Sequence, residues 1–227
     1  MTKRGIITLT LLGAAVVAAV LVVLLIRPSE PEPEPAPTYI VALDAGHGGR
    51  DPGATVDDVL EKDLNLEIVE RLQALVDAEP DLVAKLTRTL DIFVSLEDRI
   101  RIAEEAGAVM YVSVHINSFD TPEADGAETI VAAERPLDDD SWVLGELIQD
   151  GLIDATGMRD RGTRSQESYT RLASMPAVSV EVGYLTNPDE MAKLVAPEYQ
   201  QRIAGGILAG IRKFIDWKYP SAPAAQP

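Results

Sequence analysis

The stretch Tyr39-Ile40-Val41-Ala42-Leu43-Asp44-Ala45-Gly46-His47-Gly48-Gly49 decides the fold. It begins as a short apolar run and stops on a glycine, and runs of this kind, rich in Val and Ile, suit strands buried on both faces. Val83 to Thr87, Val109 to Ile116 and Val178 to Tyr184 repeat the pattern further along the chain. Between them the periodicity changes. Leu64, Ile68, Leu72 and Leu75 fall on one face of a helix from about Asp63 to Ala78, and Ser95 with Asp98 makes a capping-box start for a second helix to about Ala106. Trp142, Leu144, Leu147, Ile148 and Leu152 mark a third helix, and Ile203, Ile207, Ile211 and Phe214 a fourth. Strands alternating with helices predict a single α/β domain with a central, mostly parallel or mixed sheet covered by helices on both sides. The pattern does not give the strand order.

Outward from this core the chain has two different ends. Gly5 to Ile26 is 22 residues without a charge, which at about 1.5 Å per helical residue matches a hydrocarbon core of about 30 Å. That predicts a retained transmembrane anchor rather than a cleaved signal, whose apolar region runs only about 7–15 residues. Lys3 and Arg4 precede the run and only Arg27 follows it before Glu30, Glu32 and Glu34. The positive-inside rule therefore leaves residues 1–4 as a cytoplasmic stub and the rest on the outer, periplasmic or cell-wall side of the cell membrane. Residues 27–38, where Pro alternates with Glu, predict an extended linker. The catalytic domain is expected over residues 39–219, and the Pro- and Ala-rich residues 220–227 as a disordered tail.

Composition narrows the chemistry. The 227 residues are 46% hydrophobic and 25% charged, enough for one good-sized core. Residues 1 to 38 carry three basic and three acidic side chains, so the net charge of -17 lies on the outer domain and nucleic acid is excluded as a partner. Cysteine is absent, which removes thiolate chemistry and leaves any metal to His, Asp or Glu.

The two histidines of the chain, His47 and His115, each stand at the C-terminal end of a predicted strand. In open α/β sheets ligands gather beyond those ends, so the two imidazoles could meet. Either one alone would more often be a hydrogen-bonded structural residue than a ligand. The glycines around His47 let the backbone turn sharply and leave the ring uncovered. A catalytic zinc usually has three protein ligands, and a carboxylate is the natural third. Asp51, Asp57, Asp58, Glu61 and Asp63 are the candidates, with Glu61 equally readable as a first-turn acid that favours the helix dipole. Glu181 lies inside the apolar run Val178 to Tyr184. A carboxylate there needs either a buried salt bridge or a task.

At this point the sequence resembles the zinc-dependent N-acetylmuramoyl-L-alanine amidases usually called family 3. The resemblance rests on Leu43-Asp44-Ala45-Gly46-His47-Gly48-Gly49-Arg50-Asp51-Pro52-Gly53-Ala54 and on Glu61-Lys62-Asp63-Leu64-Asn65-Leu66. It continues through Leu86-Thr87-Arg88, Val94-Ser95-Leu96-Glu97-Asp98-Arg99, Val112-Ser113-Val114-His115-Ile116-Asn117 and Met175-Pro176-Ala177, and ends with Glu181-Val182-Gly183-Tyr184-Leu185-Thr186-Asn187. It covers about residues 39 to 216. The resemblance implies one zinc ion held by His47, Glu61 and His115, with Glu181 as the catalytic acid/base. It implies cleavage of the amide between the lactyl group of N-acetylmuramic acid and L-alanine in peptidoglycan, for wall remodelling or cell separation.

Two other readings compete, a zinc peptidase acting within the stem peptide and a non-catalytic wall-binding protein on the same fold. The second should have lost a ligand or the acid, and all four residues are present. A catalytic domain acting as a monomer is expected, with peptidoglycan and the membrane as partners. Ser168 to Ser174 is more polar and about one residue shorter than the resemblance leads one to expect, and Glu128 to Asp140 also departs from it. The 65 residues between His115 and Glu181 are expected to hold a hairpin-like segment and the helix near Trp142. That leaves little room for an inhibitory helix, so the enzyme should need no activator.

Overall fold

The computed structural model describes residues 37–220. The predicted anchor, the linker up to residue 36 and the tail from residue 221 lie outside the described residues. Among the described residues no helix is long and apolar enough to cross a membrane.

The four apolar runs form strands β1 (Tyr39–Ala45), β4 (Leu82–Leu86), β5 (Met110–Asn117) and β8 (Ala177–Tyr184). Two further strands, β6 (Ala127–Ala132) and β7 (Asp160–Gln166), complete a six-stranded sheet of order β4-β1-β5-β8-β6-β7. A separate two-stranded hairpin, β2 (Thr55–Val56) and β3 (Val59–Leu60), follows β1. Strands β4, β1, β5 and β8 are mutually parallel, β6 runs antiparallel to β8, and β7 runs parallel to β6. The sheet is therefore mixed.

The expectation of a hairpin-like segment between His115 and Glu181 is corrected here. β6 and β7 are joined by the 17-residue helix α3 (Asp140–Thr156), and a connection of that length lets the second strand return parallel to the first. Of the other helices, α1 (Glu61–Val76) precedes β4 and α2 (Leu96–Glu105) joins β4 to β5, while α4 (Pro188–Leu194) and α5 (Pro197–Lys218) follow the last strand. Ser95 caps α2 as expected, but Asp98 answers through the Ser95 hydroxyl and not through the Ser95 backbone N–H. Ser95 Oγ accepts a hydrogen bond from the Asp98 backbone N–H at 3.2 Å and donates to Asp98 Oδ2 at 2.8 Å.

The two faces of the sheet are covered unequally. On one face α1, α3 and α5 bury the larger core, which includes Leu43, Ile68, Leu72, Ile148, Val180, Ile207 and Phe214. On the other, α2 and a 3-10 turn at Tyr169–Leu172 close a smaller cluster of Ala42, Ile100, Tyr111, Met175 and Ala177. Helices α3 and α5 meet backbone to backbone: a Cβ at Gly210 would overlap the main chain of Ile148, and Gly151 stands against Gly206.

From β1 the chain passes to β4 on one side of it, and then returns to β5 on the other side. The crevice between the C-terminal ends of β1 and β5 is thus a topological switch point, the place where open α/β sheets bind ligands.

Candidate active site

His47 lies two residues beyond β1 and His115 two residues before the end of β5, so the switch point brings their rings to 4.9 Å between centroids, edge to face. Glu61 is the first residue of α1, which begins two residues earlier than the periodicity suggests. No Ser, Thr, Asp or Asn marks that start. Instead the N–H groups of Glu61 and Lys62 donate to the carbonyls of Ala54 and Pro52 at 2.9 and 3.1 Å, so the loop after β1 caps the helix.

This places the Glu61 carboxylate, only 4% exposed, between the two imidazoles. Its Oε1 is 3.2 Å from His47 Nε2 and 3.2 Å from His115 Nδ1. The same oxygen accepts from the Ile116 N–H at 3.0 Å and from Asn65 Nδ2 at 3.2 Å, and Oε2 accepts from the Ala54 N–H at 2.8 Å. One donor atom from each of the three residues lies within 4.8 Å of the others. Of the five carboxylates open as a third ligand, the structure brings Glu61 to the pair. Asp51 sits behind His47 and bonds its other ring nitrogen, Nδ1, at 2.9 Å. Asp57, Asp58 and Asp63 are exposed and outside the group.

The loop carrying His47 is held by two buried arginines. Arg88 donates through Nε to Ala45 O at 2.8 Å and through Nη2 to Gly46 O at 3.0 Å. Arg99 donates through Nη1 to Ala45 O at 2.8 Å and through Nη2 to His47 O at 2.6 Å. His47 has φ of 61°, a left-handed conformation uncommon outside glycine, which these carbonyl contacts hold in place. Glycine is required at two points. A Cβ at Gly46 would overlap the His115 ring, and one at Gly53 would overlap both Glu61 and the His47 ring.

Electrostatics follow from this packing. Burial opposes a charge on His47, but hydrogen bonds and charge from Glu61 and Asp51 outweigh it and raise its pKa to about 9. Burial likewise opposes ionisation of Glu61, yet His115 and His47 hold its carboxyl far below the usual range. A group of this kind retains protons until a cation replaces them. Two imidazoles and one carboxylate, with His47 backed by Asp51 and Glu61 by Asn65 and the N–H groups of Ala54 and Ile116, fit the donor set of a catalytic zinc.

Glu181 lies on β8 in register with His115 on β5. Burial pushes its carboxyl up to about 7, with His115 opposing and the carboxylates of Glu61 and Glu128 adding to the rise. The charges acting on it most belong to His115, Glu61, Glu128 and His47, none of them a fixed cation. The salt-bridge reading of Glu181 therefore has no Lys or Arg behind it. A carboxyl with a pKa near neutrality is suited to passing a proton.

Sequence reasoning missed the supporting residues. Asp44 is fully buried and accepts from Arg99 Nη1 at 2.6 Å, Ser113 Oγ at 2.6 Å, Tyr169 Oη at 2.8 Å and Thr87 Oγ1. The signal was available: an Asp inside an apolar strand needs partners as much as Glu181 does. Glu128, on β6 opposite Glu181, is 6% exposed and is held by Asn117 Nδ2 at 2.9 Å and by Arg164 at 3.2 Å.

Comparison with known proteins gives the family and the fold. A family model described as N-acetylmuramoyl-L-alanine amidase matches residues 41–213. The endolysin of Bacillus phage SPP1 is 35% identical over 190 residues, 82% of this chain and 69% of that protein. Among solved structures, an N-acetylmuramoyl-L-alanine amidase from Clostridium difficile 630 superimposes with a TM-score of 0.77 at 34% identity, covering 80% of this chain and 98% of that one. The catalytic domain of CwlV, an amidase of the same description from Bacillus (Paenibacillus) polymyxa, gives 0.74 at 35% identity, covering 79% and 99%.

Proposed function

The chain belongs to the N-acetylmuramoyl-L-alanine amidase family, and from that premise we propose that it cleaves the lactyl amide to L-alanine with one zinc ion held by His47, Glu61 and His115. The observation that carries the zinc reading is Glu61 between two imidazole nitrogens, with Glu181 in register with one of them. A zinc ion bound there supplies Lewis acidity, lowering the pKa of a water to about 7 and polarising the lactyl carbonyl.

The chain's own residues do the rest. Asp51 fixes the tautomer and tilt of His47 through Nδ1. Arg88 and Arg99 keep the loop that carries His47 in its left-handed turn. Glu181, with its carboxyl near pKa 7, takes the proton of the attacking water and delivers it to the amine of L-alanine as that amine departs. The glycan strand stays intact.

Purified peptidoglycan incubated with the protein tests this. Mass spectrometry should find released stem peptides with a free L-alanine amine, and a chelator should stop their release. New amines only at bonds within the stem would make the protein a peptidase, and no release would leave a wall-binding protein. The 22-residue uncharged run from Gly5 to Ile26 supports a retained membrane anchor with the enzyme on the outer side. On that reading the full chain stays in the membrane fraction through an alkaline carbonate wash. The segment between β5 and β8 is occupied by β6, α3, β7 and the 3-10 turn, which supports activity without an activating partner.

A further inference from the structure

Beside the histidine–glutamate group runs a groove of about 550 Å³, lined by His115, Ile130, Gln166, Ser168, Ser179 and Glu181 among others. It lies on the Glu181 side of the group. Among the described residues that line it, Arg171 is the one lysine or arginine. We propose that Arg171 binds the free α-carboxylate of the second stem-peptide residue, so that this groove holds the peptide arm of the substrate. The proposal deepens the amidase reading and rests on it.

The substrate's chemistry supplies the need. In a peptidoglycan stem the second residue is a D-glutamate joined onward through its γ-carboxyl, so its α-carboxyl is either a free anion or an amide. That group lies one residue from the bond to be cut. A domain that carries a net charge of -17 repels such an anion, and within the groove Glu167 and Glu181 add carboxyl groups of their own. A local cation must offset this, and a guanidinium can clasp a carboxylate with two parallel hydrogen bonds.

Arg171 is free to do so. Its side chain is 42% exposed and its ion pair with Glu134 spans 3.8 Å between two exposed groups, an arrangement of little energetic weight. Its remaining hydrogen bond, Nη1 to Ser168 O, is long at 3.4 Å.

The backbone beneath it is fixed. Arg135 Nη2 donates to the carbonyls of Thr170, Ala173 and Met175 at 3.0, 2.7 and 3.0 Å, and Tyr169 Oη reaches Asp44 at 2.8 Å. With the turn's backbone already anchored, binding has only the Arg171 side chain to order, which lowers the cost of recognising a small charged group. The segment Ser168 to Ser174, which departs from the family's pattern in the sequence, is thus the turn that presents Arg171.

The test uses uncrosslinked peptidoglycan chains whose second stem residue is either D-glutamate or its α-amide, D-isoglutamine. Wild-type protein should cleave the carboxylate form with a kcat/KM higher by about 10-fold or more. Arg171→Met should lower that value by about the same factor, through KM, while leaving the amide form within about twofold and the zinc content unchanged. Arg171→Lys should keep part of the preference, since it retains charge without the fork. Equal turnover of the two forms by wild type would overturn the proposal, as would an Arg171→Met protein that loses both substrates equally. Cleavage of neither form by wild type would sink the amidase reading itself, a different result from either.

Discussion

Two carboxylates are buried at the same end of the sheet, Asp44 on β1 and Glu61 at the head of α1, and their surroundings are opposite in kind. Asp44 meets donors that are complete without anything from outside: a guanidinium, two hydroxyls and a phenol. Glu61 accepts from Asn65 and from the N–H groups of Ala54 and Ile116, but its charged neighbours are two imidazoles, which balance its charge only by holding extra protons that a cation could replace. The first is a closed account of charge and the second an open one. The difference separates a group that holds the loop in place from one that could hold a metal ion.

The comparison can be broken from the open side first. His115→Ala removes a donor, so bound zinc should fall well below one per chain and amidase activity should vanish with it, as elemental analysis and peptide release would show. Full zinc in this variant would mean that the ion sits elsewhere. Glu181→Gln keeps shape but cannot take a proton, so turnover should drop by about 10²-fold or more while zinc remains. Loss of zinc here would turn Glu181 into a ligand.

The closed side should respond in stability rather than in metal content. Asp44→Ala leaves Arg99 buried without its partner, and denaturant unfolding should register a loss of about 3–5 kcal/mol. A loss under about 1 kcal/mol would show that Asp44 is not the keystone described here. Acidity gives a finer test. Burial pushes the Asp44 carboxyl up, but Arg99, Ser113 and Thr87 outweigh it and hold it at about 2. A depressed folded pKa contributes stability that is full above the ordinary carboxylate range and is lost as pH falls toward 2. Melting temperatures measured between pH 5 and pH 2, values set by that shift, should decline less steeply for Asp44→Asn than for wild type. A steeper decline would reverse the sign of the argument.

The smallest effect should come from between the two regions. Asp51 touches His47 on the nitrogen that faces away from Glu61, so Asp51→Asn should weaken zinc binding by about 10-fold in a competition titration without abolishing it. Complete loss of the ion would promote Asp51 to a ligand.

How much of this was legible beforehand depended on whether the signal was local. Apolar runs gave β1, β4, β5 and β8 to within a residue or so at each end. Of these, β1, β5 and β8, buried on both faces, state their burial outright, whereas β4 is an edge strand with Val83 and Lys85 exposed, against the expectation of burial on both faces. Neither β6 nor β7 announced itself. The first carries Glu128 and Thr129 at buried positions, and the second, Asp-Arg-Gly-Thr-Arg-Ser-Gln, is a polar edge strand. Their burial and pairing are set by partners far away in sequence. At α4 a readable cue, Asn187 followed by Pro188, went unused although the Asn side chain caps the helix by accepting from Asp189 and Glu190 at 3.0 and 3.1 Å. At the site, spacing left five acids open beside His47. What selects Glu61 is the capping of α1 by the loop from Pro52 to Ala54, a contact in three dimensions that no pairwise spacing encodes.

The crossing of α3 and α5 bears on how this domain can change. Where Gly151, Gly206 and Gly210 bring main chain against main chain, the smallest possible enlargement, a methyl group, forces two helices apart along with the sheet they cover. Such positions are mutational dead ends, since no single step away from glycine keeps the helices in contact. The 3-10 turn and the loop after β1 are under no such limit at their exposed residues. New wall chemistries would therefore be met by drift at the front of the molecule, on a back plate that admits almost none.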